Sequence, residues 1–374
     1  MFGAIKQDIK NIVGWKTNRK LIVFSVDDYG NIRIDSKLAR QNLDAAGIKC
    51  HNRFDKYDTL ETTADLEALF HILDSVKDTK GKPAVFTPFS VPCNINFEAL
   101  RQNNYTKFVG EDLVRTYQKK ADIDPENYTK TWNLWREGID GGLMAPQYHG
   151  REHLHIKVLE EKMRQNDAEV LTALKNNSYA GIDNSGYSTI SNLAAFDFWD
   201  VRENESFTEI LESGIESFKK VFGLNPTCFT PPSYNIHPMH YETLYNKGIR
   251  FIDGASFQSI HLGFGKYKKA FSYTGKVNKG GIKSVVRNVV FEPTEDRGID
   301  WVAFALIQIE AAFRWNRPAV ISSHRVNFCG LIEEKNREIG LNALGQLLKK
   351  IIKKWPDVEF VGAGDLGKLI GEKK

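Results

Sequence analysis

The sequence predicts an α/β fold, an irregular (β/α) barrel of about seven strands with loop insertions. Three observations lead there. Short apolar runs rich in β-branched and aromatic residues alternate with longer windows of helical spacing along nearly the whole chain. About seven such units follow one another, which favours a ring over an open sheet. The acidic, imidazole and phenolic residues that stand out fall at or just after the C-terminal ends of the predicted strands, the face on which such barrels assemble their sites.

The first strand, Leu21 to Val26, ends abruptly in Asp27-Asp28-Tyr29-Gly30. An apolar run meeting two carboxylates and a glycine reads as a buried strand entering a loop. Ser36 to Ala46 has helical spacing, with Ser36 or Asp35 as cap and Gly47 as stop. Leu60 to Val76 is a second helix, with Leu66, Leu69, Phe70 and Leu73 at helical offsets, and Pro83 to Phe89 is a strand broken at either end by proline. The stretch 97–142 is polar and aromatic and reads as an insertion. Leu143 to Tyr148 is a short strand, followed by His149 and a helix from about His153 to Lys175. Residues 176–204 form a second insertion. Phe207 to Phe222 is a helix stopped by Gly223, Thr227 to Thr230 a strand, Pro238 to Asn246 a helix, and Ile249 to Ile252 a strand. The third insertion, about 254–283, carries six glycines and is expected to be rich in loop. Ser284 to Phe291 and Ala319 to Ser323 are strands flanking a helix from Ile299 to Trp315; a long helix from Glu333 to Trp355, a strand from Val358 to Val361 and a helix from Asp365 to Ile370 end the chain.

The expectation is one decorated domain over residues 1–374. Hydrophobic content of 41% and charged content of 26% are ordinary for a globular chain, and a net charge of +4 gives no reason to expect a nucleic-acid partner. No stretch approaches the ~20 apolar residues of a membrane span. Met1 to Lys20 alternates charges with single apolar residues and lacks a signal-peptide core, so a cytoplasmic location is expected. Cys50, Cys93, Cys228 and Cys329 are far apart, without the spacing of a zinc knuckle or a disulfide framework.

Chemistry concentrates at four places. Asp27 and Asp28 are neighbours on an extended chain, so their side chains diverge and suit different tasks, one with a cation and one with a proton. His149-Gly150-Arg151-Glu152-His153 puts two imidazoles four apart, which on a helix or at its start lets both face one point. Two imidazoles and one carboxylate, with Asp28 as the third ligand, leave coordination positions open on a divalent ion. Thr230-Pro231-Pro232-Ser233-Tyr234 is a rigid turn presenting an aromatic beyond a strand, and His324 ends another strand.

In this order the motifs resemble those of the polysaccharide deacetylases of the NodB homology type, a carbohydrate-esterase family with an irregular (β/α) barrel and a mononuclear metal site. Val26 to Gly30 is similar to the family's Asp-Asp start, Ala84 to Pro92 to its Phe- and Pro-rich strand, and His149 and His153 to its His-x-x-x-His motif, with Gly150 where Ser or Thr is usual. Thr230 to Tyr234 looks like the Pro-rich third motif and Val320 to His324 like the closing strand and histidine. The likeness runs from about Lys20 to Ile370.

The resemblance implies that Asp28, His149 and His153 hold one divalent metal, Asp27 acts as base and His324 as acid. Zinc is the first expectation, with cobalt, manganese, iron and nickel as alternatives. It also implies Tyr234 in the oxyanion and substrate neighbourhood, and an acetylated amino sugar in a glycan, oligosaccharide or sugar precursor as substrate. Two departures stand out. The family's third motif opens with an Arg that pairs with the base, where this chain has Thr230; Arg325 or Arg287 is the candidate replacement, and Arg325 is assigned to the substrate-binding group. The acidic residue that orients the acid histidine is matched only loosely by Asp296 and Asp300 beside Trp301. The Asp-Asp start is also similar to that of the YdjC-like deacetylases. A metal-dependent deacetylase is the first reading and a catalytically inactive glycan-binding relative the second. Trp132, Trp135, Tyr187 and Trp199 are candidate sugar-stacking aromatics or core residues, and the subunit number stays open.

Overall fold

The computed structural model describes residues 8–50, 52–182 and 190–371. Tyr187 lies outside the described residues. Nine parallel strands make the main sheet: β1 (Lys20–Tyr29), β2 (Phe86–Ser90), β3 (Gln147–Tyr148), β4 (Cys228–Phe229), β5 (Phe251–Gly254), β6 (Lys283–Val286), β7 (Val289–Val290), β8 (Ala319–His324) and β9 (Val358–Phe360). The pairing runs β6-β5-β4-β3-β2-β1-β8-β7, with β9 on the start of β1. The two ends of this path, β6 and β7, are consecutive pieces of one segment, so the path returns on itself. Between them Arg287 N–H donates to Gly254 O at 3.0 Å and Asn288 N–H to Val320 O at 3.1 Å, so the backbone changes partner from β5 to β8 within two residues. Counting 283–290 as a single strand, the ring has the seven members predicted.

Every connection between adjacent parallel strands must cross over, and helices do most of this. Ser36 caps Lys37–Ala45, Thr62 and Asp65 form a capping box on Thr63–Asp74, and Gly223 at φ 68° ends Asn204–Phe222 in the left-handed conformation that glycine tolerates. Trp301–Arg314 and Glu334–Lys354 cover the β7–β8 side. No helix among the described residues is long and apolar enough to cross a membrane.

Strand alternation divides the apolar residues of the main sheet between two clusters. Ile22, Phe24 and Val26 pack outward beneath the helices. Leu21 and Val23 join Phe89, Cys228, Phe251, Val285 and Val320, contributed by most strands of the ring, with helix Ala363–Gly371 packed against them. Continuing that inward set along β1 leads to Ser25 and then Asp27. The interior therefore changes from apolar at the start of the strands to polar at their ends.

Several local expectations differ from the structure. His149 and His153 are not on a helix; the predicted helix is two, Ile156–Arg164 and Ala168–Lys175, and the histidines sit in the loop before them. The third insertion is not all loop, because Phe257–Gly263 and Lys266–Phe271 form an antiparallel hairpin outside the main sheet. Trp135 is fully buried and belongs to the core, and its indole donates to Glu61 at 3.1 Å.

Candidate active site

The end of β1 is bent to deliver two carboxylates. Its register with β2 shifts between Val26 and Tyr29, and Asp28 sits at φ 75°, a conformation costing an L-residue roughly 1–2 kcal/mol. Gly30 follows at φ 78°, and a Cβ there would lie 2.7 Å from Val91 O, so the turn after the aspartates requires glycine. The bend sends Asp27 into the ring and Asp28 toward the β3 loop.

Asp28 meets both histidines. Its Oδ1 is 3.4 Å from His149 Nε2 and 3.2 Å from His153 Nε2. Donor atoms of all three residues lie within 4.8 Å of one another and all three side chains are buried. Burial pushes the Asp28 carboxyl up, but His149 and His153 outweigh it and hold it well below the usual carboxylate range. Convergence of the imidazoles depends on Gly150 at φ 97°, not on helical spacing. His149 Nδ1 lies 2.7 Å from Thr230 O; a carbonyl only accepts, so Nδ1 carries a proton and Nε2 is the nitrogen left to face Asp28. Nε2 of His149 and Nδ1 of His153 are buried without a hydrogen-bond partner. A buried imidazole nitrogen facing a carboxylate, with the ring's other nitrogen fixed by a carbonyl, fits a metal ligand with its orienting partner. The donor set fits a divalent ion.

Asp27 is gripped by Arg287. Nη1 donates to Oδ2 at 2.6 Å and Nη2 to Oδ1 at 2.7 Å, a bidentate pair with both partners buried. The same guanidinium donates to Asp253 through Nε, to Thr230 Oγ1 at 2.9 Å and to Tyr234 Oη at 3.1 Å. Asp253 also accepts from Ser25 Oγ at 3.0 Å; burial leaves its carboxyl raised despite Arg287. Arg287 thus supplies the cation that position 230 lacks, and it does so from the point where the ring closes. Tyr234, at φ 56°, stands over the guanidinium 5.6 Å from its ring centroid, and burial raises its phenol.

His324 lies beside Asp27 because the two are register partners on adjacent parallel strands, with Nε2 3.9 Å from Asp27 Oδ2. Its Nδ1 donates to Glu292 Oε1 at 2.7 Å. Burial works to lower its pKa, but Glu292, then Asp28 and Asp27, lift it to about 9. Glu292 is in turn buried, paired with Arg53 and bonded by Asn327 at 2.8 Å; His324 and Arg53 hold it below its usual value against the effect of burial. The Phe54 ring meets the imidazole edge-on at 5.1 Å.

The structure therefore brings together Asp27, Asp28, His149, His153, Tyr234 and His324. It does not bring Arg325 to them. That side chain is fully buried, donating to Asp58 at 2.8 Å and Glu61 at 2.8 Å, which corrects its assignment to substrate: its donors are spent on two internal carboxylates. Nor does Asp296 or Asp300 orient His324; Asp300 caps helix Trp301–Arg314 and Glu292 takes the orienting position. Glu292 and Asp253 were missed because neither lies in a spaced motif. The available signal was an acidic residue at the C-terminal end of a predicted strand, for Asp253 one residue past Ile252.

The chain matches no protein-family profile and no curated protein sequence. Among solved structures it is similar to a protein from Parabacteroides distasonis described as a glycoside hydrolase/deacetylase, at 10% identity and a TM-score of 0.48, over 95% of this chain and 72% of that one. It is similar to the PuuE allantoinase at 9% identity and 0.46, over 95% and 91%. A Mycobacterium smegmatis protein described as a polysaccharide deacetylase is similar at 12% identity and 0.45, over 96% and 93%.

Proposed function

We propose that this chain is a divalent-metal-dependent hydrolase that removes an acetyl group from an acetylated amino sugar. One observation carries the reading: a buried Asp28–His149–His153 donor cluster shares a barrel rim with a carboxylate fixed by a bidentate arginine and a histidine fixed by a buried glutamate. Asp28, His149 and His153 would hold the ion, with zinc the first choice for two imidazoles and a carboxylate. When bound, a divalent ion supplies Lewis-acid polarisation of the acyl oxygen and acidifies water.

The chain's own residues account for the rest. Arg287 fixes both oxygens of Asp27, so the carboxylate is preorganised to accept a proton from attacking water instead of rotating to find it. His324, protonated at neutral pH because of Glu292, is poised to deliver a proton from Nε2 to the departing nitrogen. Tyr234 Oη accepts from Arg287 and lies within hydrogen-bonding reach of Ser322, which fixes the phenol at the rim where its hydroxyl can meet a substrate oxygen. The substrate class rests on the resemblance of the motifs.

The test is acetate release from acetylated chito-oligosaccharides and nucleotide-linked acetamido sugars after metal stripping and re-addition. Zinc-restored release that falls by at least about 10³-fold in Asp27→Asn and in His324→Ala is the expected result. Stoichiometric metal binding with no release from any acetylated sugar would replace this reading by that of a glycan-binding relative.

A further inference from the structure

From Gly254 to Phe291 the chain contains no Asp or Glu, but six lysines and Arg287, in a protein with 47 acidic residues. The centre of this stretch is the hairpin of Phe257–Gly263 and Lys266–Phe271, which pairs only with itself. All exposed phenylalanines among the described residues are here: Phe257 (72% exposed), Phe264 (57%) and Phe271 (44%). Phe257 and Phe271 are register partners at its base with ring centroids 5.4 Å apart, while Leu262 and Phe264 are exposed at its turn.

This presentation is held in place. His261 is stacked between Phe198 at 4.6 Å and Tyr267 at 4.4 Å, and its Nδ1 lies 2.6 Å from Asp197 Oδ1. Phe264 N–H donates to Trp199 O at 2.6 Å. One side of the hairpin is thus pinned to the second insertion, and its turn is fixed outward. It rises from the end of β5, where Gly254 lies against Tyr234 and Gln258, so it stands on the same rim as the candidate active site.

We propose that this hairpin docks the protein on an anionic bilayer surface. A carboxylate-free segment with exposed lysines calls for an anionic partner. The apolar side chains choose among such partners. Aliphatic Leu262 offers a glycan or a phosphate chain neither a hydrogen bond nor a stacking face, whereas Leu262 and Phe264 beside Lys266 and Lys268 match a headgroup–acyl boundary, where burial and electrostatic attraction add. The contact is at the turn, where exposed Leu262 and Phe264 stand beside exposed Lys266 and Lys268, apolar side chains flanked by charge. Docking there would turn the rim that carries Asp27 and His324 toward the lipid surface, and it does not depend on what that site hydrolyses.

Co-sedimentation of the full chain with phosphatidylcholine vesicles, and with the same vesicles carrying phosphatidylglycerol, tests this. Partition into the anionic vesicles only is expected, weakening with salt and by at least about tenfold in Lys266→Glu/Lys268→Glu. A second variant, Leu262→Ser/Phe264→Ser, changes only exposed side chains and is expected to lose about tenfold or more with zinc binding unaltered. Absence of partition overturns the proposal. So does partition that survives Leu262→Ser/Phe264→Ser, which would mean plain charge attraction, and so does a dimer in sedimentation velocity that the same variant dissolves.

Discussion

At the scale of single residues, two carboxylates on one strand end are assigned opposite tasks by their partners. Asp28 faces imidazoles and Asp27 a guanidinium, and the bend at φ 75° separates them. His324 depends in the same way on Glu292. Its folded pKa, lifted to about 9, lies above the ordinary imidazole value of about 6.5, so the stabilisation it contributes is complete below about pH 6.5 and is lost as pH rises through about 9. Removing the buried carboxylate in Glu292→Gln is expected to move the imidazole titration down toward about 6.5. Histidine NMR titration measures this directly, and the alkaline limb of the pH–rate profile should follow it. An unmoved titration would mean that Glu292 positions the ring without setting its charge.

At the scale of elements, the loop after β3 aims both imidazoles of the donor cluster through a single glycine. An L-residue at φ 97° is strained, and a Cβ at position 150 would press Glu152 O and Pro232 at 3.3 Å. Gly150→Ala is therefore expected to weaken zinc binding by roughly 10–100-fold with little effect on the barrel, measured by isothermal titration calorimetry. Strands such as β1 and β8 were legible because their apolar runs are long and end in charge. The stretch predicted as β3 pairs with β2 at both ends, through a parallel bridge of Met144 to Phe86 and then through Gln147–Tyr148, while β4 was placed correctly but overextended, since only Cys228 and Phe229 pair in the sheet. The hairpin at 257–271 was read as part of a loop-rich stretch because glycines and lysines mask its alternation, and one face is solvated. The joint placement of Asp27, Asp28, His149, Tyr234 and His324 at strand ends was visible in the sequence. Arg287 could be named only as one of two candidates, because a lone arginine inside a strand gives no sign of which way it points.

At the scale of the whole molecule, the donor cluster links ligand binding to stability. Saturating zinc, at about 100 times its dissociation constant, should add about 2.7 kcal/mol to the unfolding free energy and raise the melting temperature by about 3 °C. Calorimetry with and without chelator checks this, and His149→Ala should abolish the shift. The ring itself carries a further consequence. Asp27 belongs to the first strand, while its guanidinium belongs to the segment that changes neighbours as the circle is completed. More than two hundred and fifty residues separate them in the chain. A partly assembled molecule, however native its early strands, holds Asp27 without its clamp. The clamped carboxylate thus exists only when the architecture is finished, and a nascent chain emerging from the ribosome would lack it until its closing segment had found both sides of the gap.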